Sequence, residues 1–540
     1  MERAGSGTRG GDLLERLSGL DATFLYLETP RMHLHVSAVV VFDPATAAAP
    51  GQSPGSRDSA GGAGGGPGGA SEVEVGAFSF DRLKAVIESR LHLLPPFRRR
   101  AVQVPFHLDH PVWVDDPDFD LDYHLRRLAL PAPGGVHELC ELAADLISRP
   151  LDLDRPLWEI YVLEGLQSGG AALVAKAHHA AIDGVSGTEL AALLFDLEPG
   201  GTPVPPPEHP WRPERVPSER DMLVKALGPM VCRPVAIGRL LGKSVGALFP
   251  PVEASVHDAH PHGMVPDDVH QRLPLALRAP KTSFNSSLSS HRRVAFAEVS
   301  LADVKRVREL AGGTVNDVVL TGCAGALRGY LESREELPSE SLVALVPISV
   351  RRPSEKGQMG NRVAAMLIEL GTDIEDPCER LRFVSARTTA GKDRLEGLGS
   401  TLMAEWAEQL TPLLAAPTAR VISGSKLFAR VPVPCNVIIS NVPGPDFPLY
   451  ASGCRMAAIH PFGPVVEGVG LNITVMSYLG TMYFGILACR DLVPAIQDVA
   501  TCLEDSFREL VRVAEDRARV GNRSRTKARR AVTGLRPGAS

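Results

Sequence analysis

Three stretches of this chain are too poor in large apolar residues to build a core, and their positions cut the rest into two blocks. Pro44 to Glu72, "PATAAAPGQSPGSRDSAGGAGGGPGGASE", is a Gly/Ala/Pro run and reads as a disordered loop after a strand. Gly200 to Glu219, "GGTPVPPPEHPWRPERVPSE", is Pro-rich and extended, and opens a crossover that lasts to about Asn285. After Glu515 the chain turns Arg-rich and loses apolar periodicity, so residues 516–540 read as a disordered basic tail. A chain of 540 residues is long for one core. The expected layout is a first domain over 1–199, a linker over 200–285 and a second domain over 286–515.

Both blocks mix strand and helix signals. In the first, "LHVSAVVVF" (Leu34 to Phe42) reads as a strand, and "VHELCELAADLIS" (Val136 to Ser148) has helical spacing. "LWEIYVLEGL" (Leu157 to Leu166) and "AALVAKAHH" (Ala171 to His179) read as paired strands around "QSGG". In the second, strands are expected over Arg292 to Val299, Leu342 to Val350, Arg362 to Leu370 and Asn436 to Val442, with a hairpin over Leu471 to Cys489. Helices are expected near Ala302 to Ala311, Val315 to Leu331 and Ala495 to Ala514. The simplest fold is α/β: two sandwiches joined by a long crossover.

Composition excludes several classes. A net charge of −6 gives no global case for nucleic-acid binding. The eight cysteines contain no C-x-x-C pair, which argues against a zinc site or disulfide framework and fits a reducing compartment. No run of about 18 apolar residues suggests a membrane span, and the first residues lack a signal-peptide core. The expected location is cytoplasmic.

The chemistry concentrates in "AKAHHAAIDGVSGTEL", Ala175 to Leu190. Residues 171–177 form a strand, and Ser186 with Glu189 makes a capping box for a helix over 188–197. His178 to Val185 is then a strand-to-helix loop, where α/β proteins place reactive groups. Gly184 supplies backbone freedom. Adjacent histidines on a continuing strand point to opposite sides, so only one faces a given cavity. H-H-x-x-x-D lacks the spacing that places metal ligands on one helical face, and no metal is expected.

The H-H-x-x-x-D-G pattern of His178 to Gly184 resembles the active-site motif of the CoA-dependent acyltransferase superfamily. Further stretches are similar to its bacterial wax ester synthase/diacylglycerol acyltransferase branch. They are "LSGLDATFLYLETPRMHLHV", with Asp21, Phe24, Glu28, Thr29 and Met32; Pro156-Leu157-Trp158; the Asn316-Asp317 pair; "GNRVAAMLIEL"; and "SNVPGP", with Asn441, Pro443 and Gly444. The resemblance spans about Leu17 to Glu515, excluding the Gly-rich insert and the tail. It implies two chloramphenicol-acetyltransferase-like sandwiches with the active site in a tunnel between them. His179 is implied as general base, and long-chain acyl-CoA as a substrate rather than a cofactor, with no cofactor needed. The acceptor is diacylglycerol or a fatty alcohol.

Under that resemblance His178 is a packing or hydrogen-bonding neighbour, and Asp183 holds the loop rather than completing a triad. Oxyanion or substrate contacts fall on Asn316, Asp317, Trp158, Asn441 and Gly444, each with an ordinary alternative. Thr314 to Asp317 also looks like a helix N-terminus. Asn441 to Gly444 can be a tight turn, and Trp158 a core aromatic. Peripheral contact with the inner face of the plasma membrane or a lipid droplet falls to Asp221 to Phe249, a broken amphipathic stretch that can equally pack between domains. Two rival functions are a condensation-type enzyme using carrier-protein thioesters and a non-catalytic lipid-binding protein.

Overall fold

The computed structural model describes residues 15–44, 78–182, 193–213, 215–228, 279–349, 363–398 and 433–533. Most of the insert, the Ser186–Glu189 capping box with Asp183 and Gly184, and residues 229–278 of the crossover lie outside them.

The first block runs β1 (Glu15–Arg16), α1 (Gly19–Leu27), β2 (His35–Asp43), α2 (Phe80–Arg90), β3 (Arg99–Val102) and β4 (Val112–Asp115). A helical turn α3 (Leu121–His124), β5 (Leu125–Ala129), α4 (Val136–Ser148), β6 (Trp158–Glu164) and β7 (Ala171–His178) follow. The second block holds β8 (Arg292–Ser300), α5 (Leu301–Ala311), α6 (Val315–Glu332), β9 (Val343–Ser349), β10 (Val363–Glu369) and α7 (Pro377–Leu398). It continues with β11 (Val437–Val442), β12 (Tyr450–Ala451), β13 (Cys454–Phe462), β14 (Leu471–Tyr478), β15 (Thr481–Cys489) and α8 (Ile496–Thr533). The expected β6–β7 and β14–β15 hairpins are both antiparallel pairs.

Among the described residues the strands form two six-stranded sheets, in orders β12-β13-β2-β7-β6-β5 and β10-β9-β11-β14-β15-β8, and a small three-stranded one, β1-β4-β3. The first therefore contains strands from both blocks. β13 pairs with β2 from Arg455↔Asp43 to Phe462↔Ser37, so a sequence boundary at residue 286 does not separate the sheets. Tyr450 adds a bridge to Asp196, whose carboxylate forms a buried ion pair with Arg90.

Each six-stranded sheet is covered as period-2 alternation demands. On β2, Val40 and Phe42 join Trp158, Ile160, Val162 and Leu173 in one cluster. Val39 faces the other way, with Tyr161, Leu163, Ala172 and Val174, under the Leu139, Ala143 and Ile147 stripe of α4. The second sheet packs on α6 and α8 through Val318, Leu327, Phe484, Leu503 and Phe507. The sheets meet where β13 crosses β14 and β15. The Tyr483 hydroxyl donates to the Ala457 carbonyl at 2.9 Å, and that of Tyr478 to the Met456 carbonyl at 3.2 Å.

The basic tail differs from its expected disorder. α8 is 38 residues long and continues to Thr533. Around the end of the core its turns carry ion pairs three and four residues apart, Arg512–Asp516, Arg519–Glu515 and Arg519–Asp516. Among the described residues no single helix is long and apolar enough to cross a membrane.

Gly485 on β15 lies at a close approach of the sheets: a Cβ there would lie 1.9 Å from the Pro461 carbonyl oxygen on β13. Gly485→Ala is expected to cost about 1–3 kcal/mol by overpacking. Urea unfolding measures it, and an unchanged midpoint would mean the strands do not approach so closely.

Candidate active site

α1 starts at Ser18, whose hydroxyl accepts the Asp21 amide at 3.2 Å, and the helix is tied down by a 2.7 Å bond between the Tyr26 hydroxyl and His110 Nδ1. Phe24 and its C-cap Glu28 are four residues apart, one turn along the same helical face. Both reach the histidine pair at the end of β7. The Phe24 ring stacks on that of His179, with centroids 4.2 Å apart and planes inclined by 19°. The Glu28 carboxylate lies 2.9 Å from His178 Nε2.

The backbone amides around the pair are engaged. The amide of His178 donates to Leu157, that of His179 to Leu34, and that of Ala181 to the His178 carbonyl, each at 2.9 Å. The Ala180 amide donates to His178 Nδ1 at 3.1 Å. Because Nδ1 accepts, the His178 proton sits on Nε2 and is donated to Glu28. His178 is satisfied at both ring nitrogens and fully buried. His179 is partly exposed, so the neighbours differ in access as the alternation predicts.

Burial pushes the pKa of His179 down to about 4. Its ring is neutral at physiological pH and keeps a lone pair with which it can take a proton.

The face of the sheet that carries His178 also carries a buried polar row that sequence reading missed. Lys176 Nζ donates to Glu159 at 3.2 Å and to the Arg149 carbonyl at 2.8 Å, while the Tyr161 hydroxyl donates to Glu159 at 2.7 Å. Lys176 opposite Glu159 and His178 opposite His35 follow from the β6–β7–β2 register. A lysine inside an otherwise apolar strand, two residues before the histidines, was the available signal.

Asn316 and Asn441 come together: Asn441 Nδ2 donates to Asn316 Oδ1 at 3.3 Å, and both residues are partly exposed. Asn316 is in the first turn of α6. Asp317 is spent on structure. Its carboxylate accepts from the Thr314 amide (2.8 Å), Ser385 (3.2 Å) and Thr388 (2.7 Å), which makes it the capping-box residue of α6. Trp158 is core: 2% exposed, its indole donating to the Phe97 carbonyl at 2.8 Å, its ring stacked on His124. Gly444 packs where a Cβ would sit 2.0 Å from the Ser477 carbonyl oxygen. Ile182, shortly after the histidines, and Val442, next to Asn441, pack on one apolar cluster.

This two-sheet fold is shared with the first condensation domain of the calcium-dependent antibiotic synthetase (TM-score 0.52, 15% identity, 94% of this chain and 98% of that one), a likeness of fold alone. The wax ester synthase/diacylglycerol acyltransferase from Marinobacter aquaeolei VT8 is nearer, with TM-score 0.60 and 27% identity over 93% of this chain and 100% of that chain. The sequence profile of the wax ester synthase/diacylglycerol acyltransferase catalytic domain matches residues 17–319, and that of the WS/DGAT C-terminal domain residues 359–511. A Mycobacterium tuberculosis protein provisionally named diacylglycerol O-acyltransferase is 35% identical over 514 residues, 95% of this chain and 93% of its own length. Another of that name from the same organism is 37% identical over 497 residues, 92% of this chain and 99% of its own. This chain belongs to the wax ester synthase/diacylglycerol acyltransferase family, and it is an acyltransferase.

His33, His35, His124 and His460 resemble His179 in one respect: burial lowers each pKa below the ordinary 6.5, that of His460 to about 4. The unfolded chain therefore binds more protons than the native one once pH falls below about 6.5. Native stability is lost as pH drops through that value toward the folded pKa values, by at most about 1.4 kcal/mol per pH unit for each histidine. Melting temperature should be level between about pH 8 and 7 and fall steadily below about 6.5. A melting temperature that holds or rises down to about pH 5.5 would contradict the neutral assignments.

Proposed function

We propose that this protein moves a long-chain acyl group from acyl-CoA to the hydroxyl of diacylglycerol, with His179 as general base. The observation that carries the reading is the accessible, neutral imidazole of His179 beside a fully bonded His178 in a chain of this family. The acceptor oxygen attacks the thioester carbonyl while His179 takes its proton. As the tetrahedral intermediate collapses, the C–S bond breaks and the imidazolium returns that proton to the CoA sulfur. The reaction balances with no cofactor and no acyl-enzyme. Asn316 Nδ2, whose amide oxygen is held by Asn441, is a donor suited to the developing oxyanion at the N-terminal end of α6. We place the reacting groups between the two sheets, where both contribute to one apolar cluster.

Diacylglycerol is favoured over a fatty alcohol by the names of the mycobacterial relatives; wax ester synthesis is the second acceptor chemistry of the family. Both substrates partition into lipid, so we also propose peripheral contact with a membrane or droplet from the cytoplasmic side. Support comes from the helical stretch over 219–228, which buries Met222 and Ala226 but leaves Val224 62% and Leu227 55% exposed.

The test uses purified full-length protein, labelled palmitoyl-CoA, and diacylglycerol, hexadecanol or buffer as acceptor. Labelled triacylglycerol should dominate, and His179→Ala should lower its formation by about 10²–10⁴-fold at matched folded protein. Wild-type turnover by His179→Ala would overturn the mechanism, and exclusive use of hexadecanol would overturn the acceptor.

A further inference from the structure

Two side chains of α1 touch the two histidines, and neither contact is needed to build the helix. α1 already has its cap at Ser18, its Tyr26–His110 bond and its buried stripe of Ala22 and Tyr26. Phe24 and Glu28 instead project from one helical face onto the end of β7. A carboxylate nearly buried against a fully buried imidazole is a costly arrangement for fold stability alone, since an apolar pair of similar shape would avoid desolvating it.

The contacts act on His179 from two directions. Glu28 accepts the Nε2 proton of His178, which leaves Nδ1 as the acceptor for the Ala180 amide. That bond fixes the peptide immediately after His179, while the amide of His179 is held by Leu34. The backbone of His179 is thus pinned on both sides, one of them by way of Glu28. Phe24 then sets the remaining freedom, because a ring stacked at 4.2 Å and 19° restricts rotation of the imidazole about its side-chain bonds.

We propose that Glu28 and Phe24 are positioning residues for acyl transfer: Glu28 through the imidazole of His178, and Phe24 directly on the ring of His179. This rests on His179 being the base. Reactions that depend on a held geometry lose about 10²-fold in rate for displacements of about 1 Å, and they lose it in turnover rather than in substrate binding. Glutamine at position 28 keeps a carbonyl oxygen that accepts the same Nε2–H, so it preserves the device. Alanine leaves that buried N–H unpaired. Tyrosine at position 24 keeps the stacking face, and alanine removes it.

The full-length Glu28→Ala, Glu28→Gln, Phe24→Ala and Phe24→Tyr variants would be assayed with palmitoyl-CoA and diacylglycerol, beside His179→Ala, with kcat scaled to folded protein from thermal melts. Glu28→Ala and Phe24→Ala should each lose on the order of 10²-fold in kcat. KM for palmitoyl-CoA should stay within about 2-fold. Glu28→Gln and Phe24→Tyr should recover most of the turnover. Wild-type kcat in the two alanine variants, with His179→Ala inactive, would overturn the positioning role and leave the base intact. An active His179→Ala would instead remove the reading on which the proposal rests. Glu28→Gln as impaired as Glu28→Ala would overturn the hydrogen-bond route. If Glu28→Ala does not fold, the Phe24 pair decides, since Phe24 is only partly buried.

Discussion

The imidazole of His178, bonded at both ring nitrogens inside the protein, is the contact around which the site is arranged. One nitrogen fastens β7 to α1 through Glu28, and the other closes the turn that carries His179. The arrangement works only if β7 reaches its neighbours in one register. His178 lies opposite His35 on β2, and the ladder runs one residue further through the His179 amide and the Leu34 carbonyl. A slip by one residue would exchange the two histidines between the faces of the sheet and put the wrong ring against solvent.

β2 is held on its other edge by β13, a strand from the far half of the sequence. The segment between α1 and β2 is also clasped by the second block. Arg292, at the start of β8, donates to the Arg31 carbonyl, and the Glu467 amide lies 3.3 Å from the Met32 sulfur. The histidine pair thus depends on contacts from both halves of the chain, and so does the apolar cluster shared by Ile182 and Val442. An acyltransferase, which must bring two substrates together, gains from such a frame, because neither half can move without disturbing the histidine pair.

Much of this was legible in the sequence, for identifiable reasons. Runs rich in strand-forming apolar residues marked β2, β6 and β7, and the opposite facing of successive strand residues gave His178 and His179 different surroundings at a strand end. The helices over Leu301–Ala311 and Val315–Glu332 followed from apolar spacing. The exchange of β13 was not legible, because period-2 alternation says that a strand is buried but not which sheet receives it. α7 and the last turns of α8 were missed because charged residues dominate them and the helical period of their apolar residues is weak. Asn316-Asp317 showed both outcomes. Asp317 proved to be the cap that its position after Thr314 suggested, and Asn316 found a partner 125 residues away in Asn441, which no local pattern could announce.

The pH dependence of kcat/KM tests the central claim most directly, because a base must be unprotonated to act and burial sets the His179 pKa near 4. Initial rates with palmitoyl-CoA and diacylglycerol, taken within seconds of a pH jump so that unfolding does not intrude, should stay level from about pH 8 to about pH 5.5. They should decline only below that. An acid limb centred at or above the ordinary histidine value of about 6.5 would contradict the account, since it would mean that the working base titrates as a free imidazole does and not as the stacked, partly buried ring of His179.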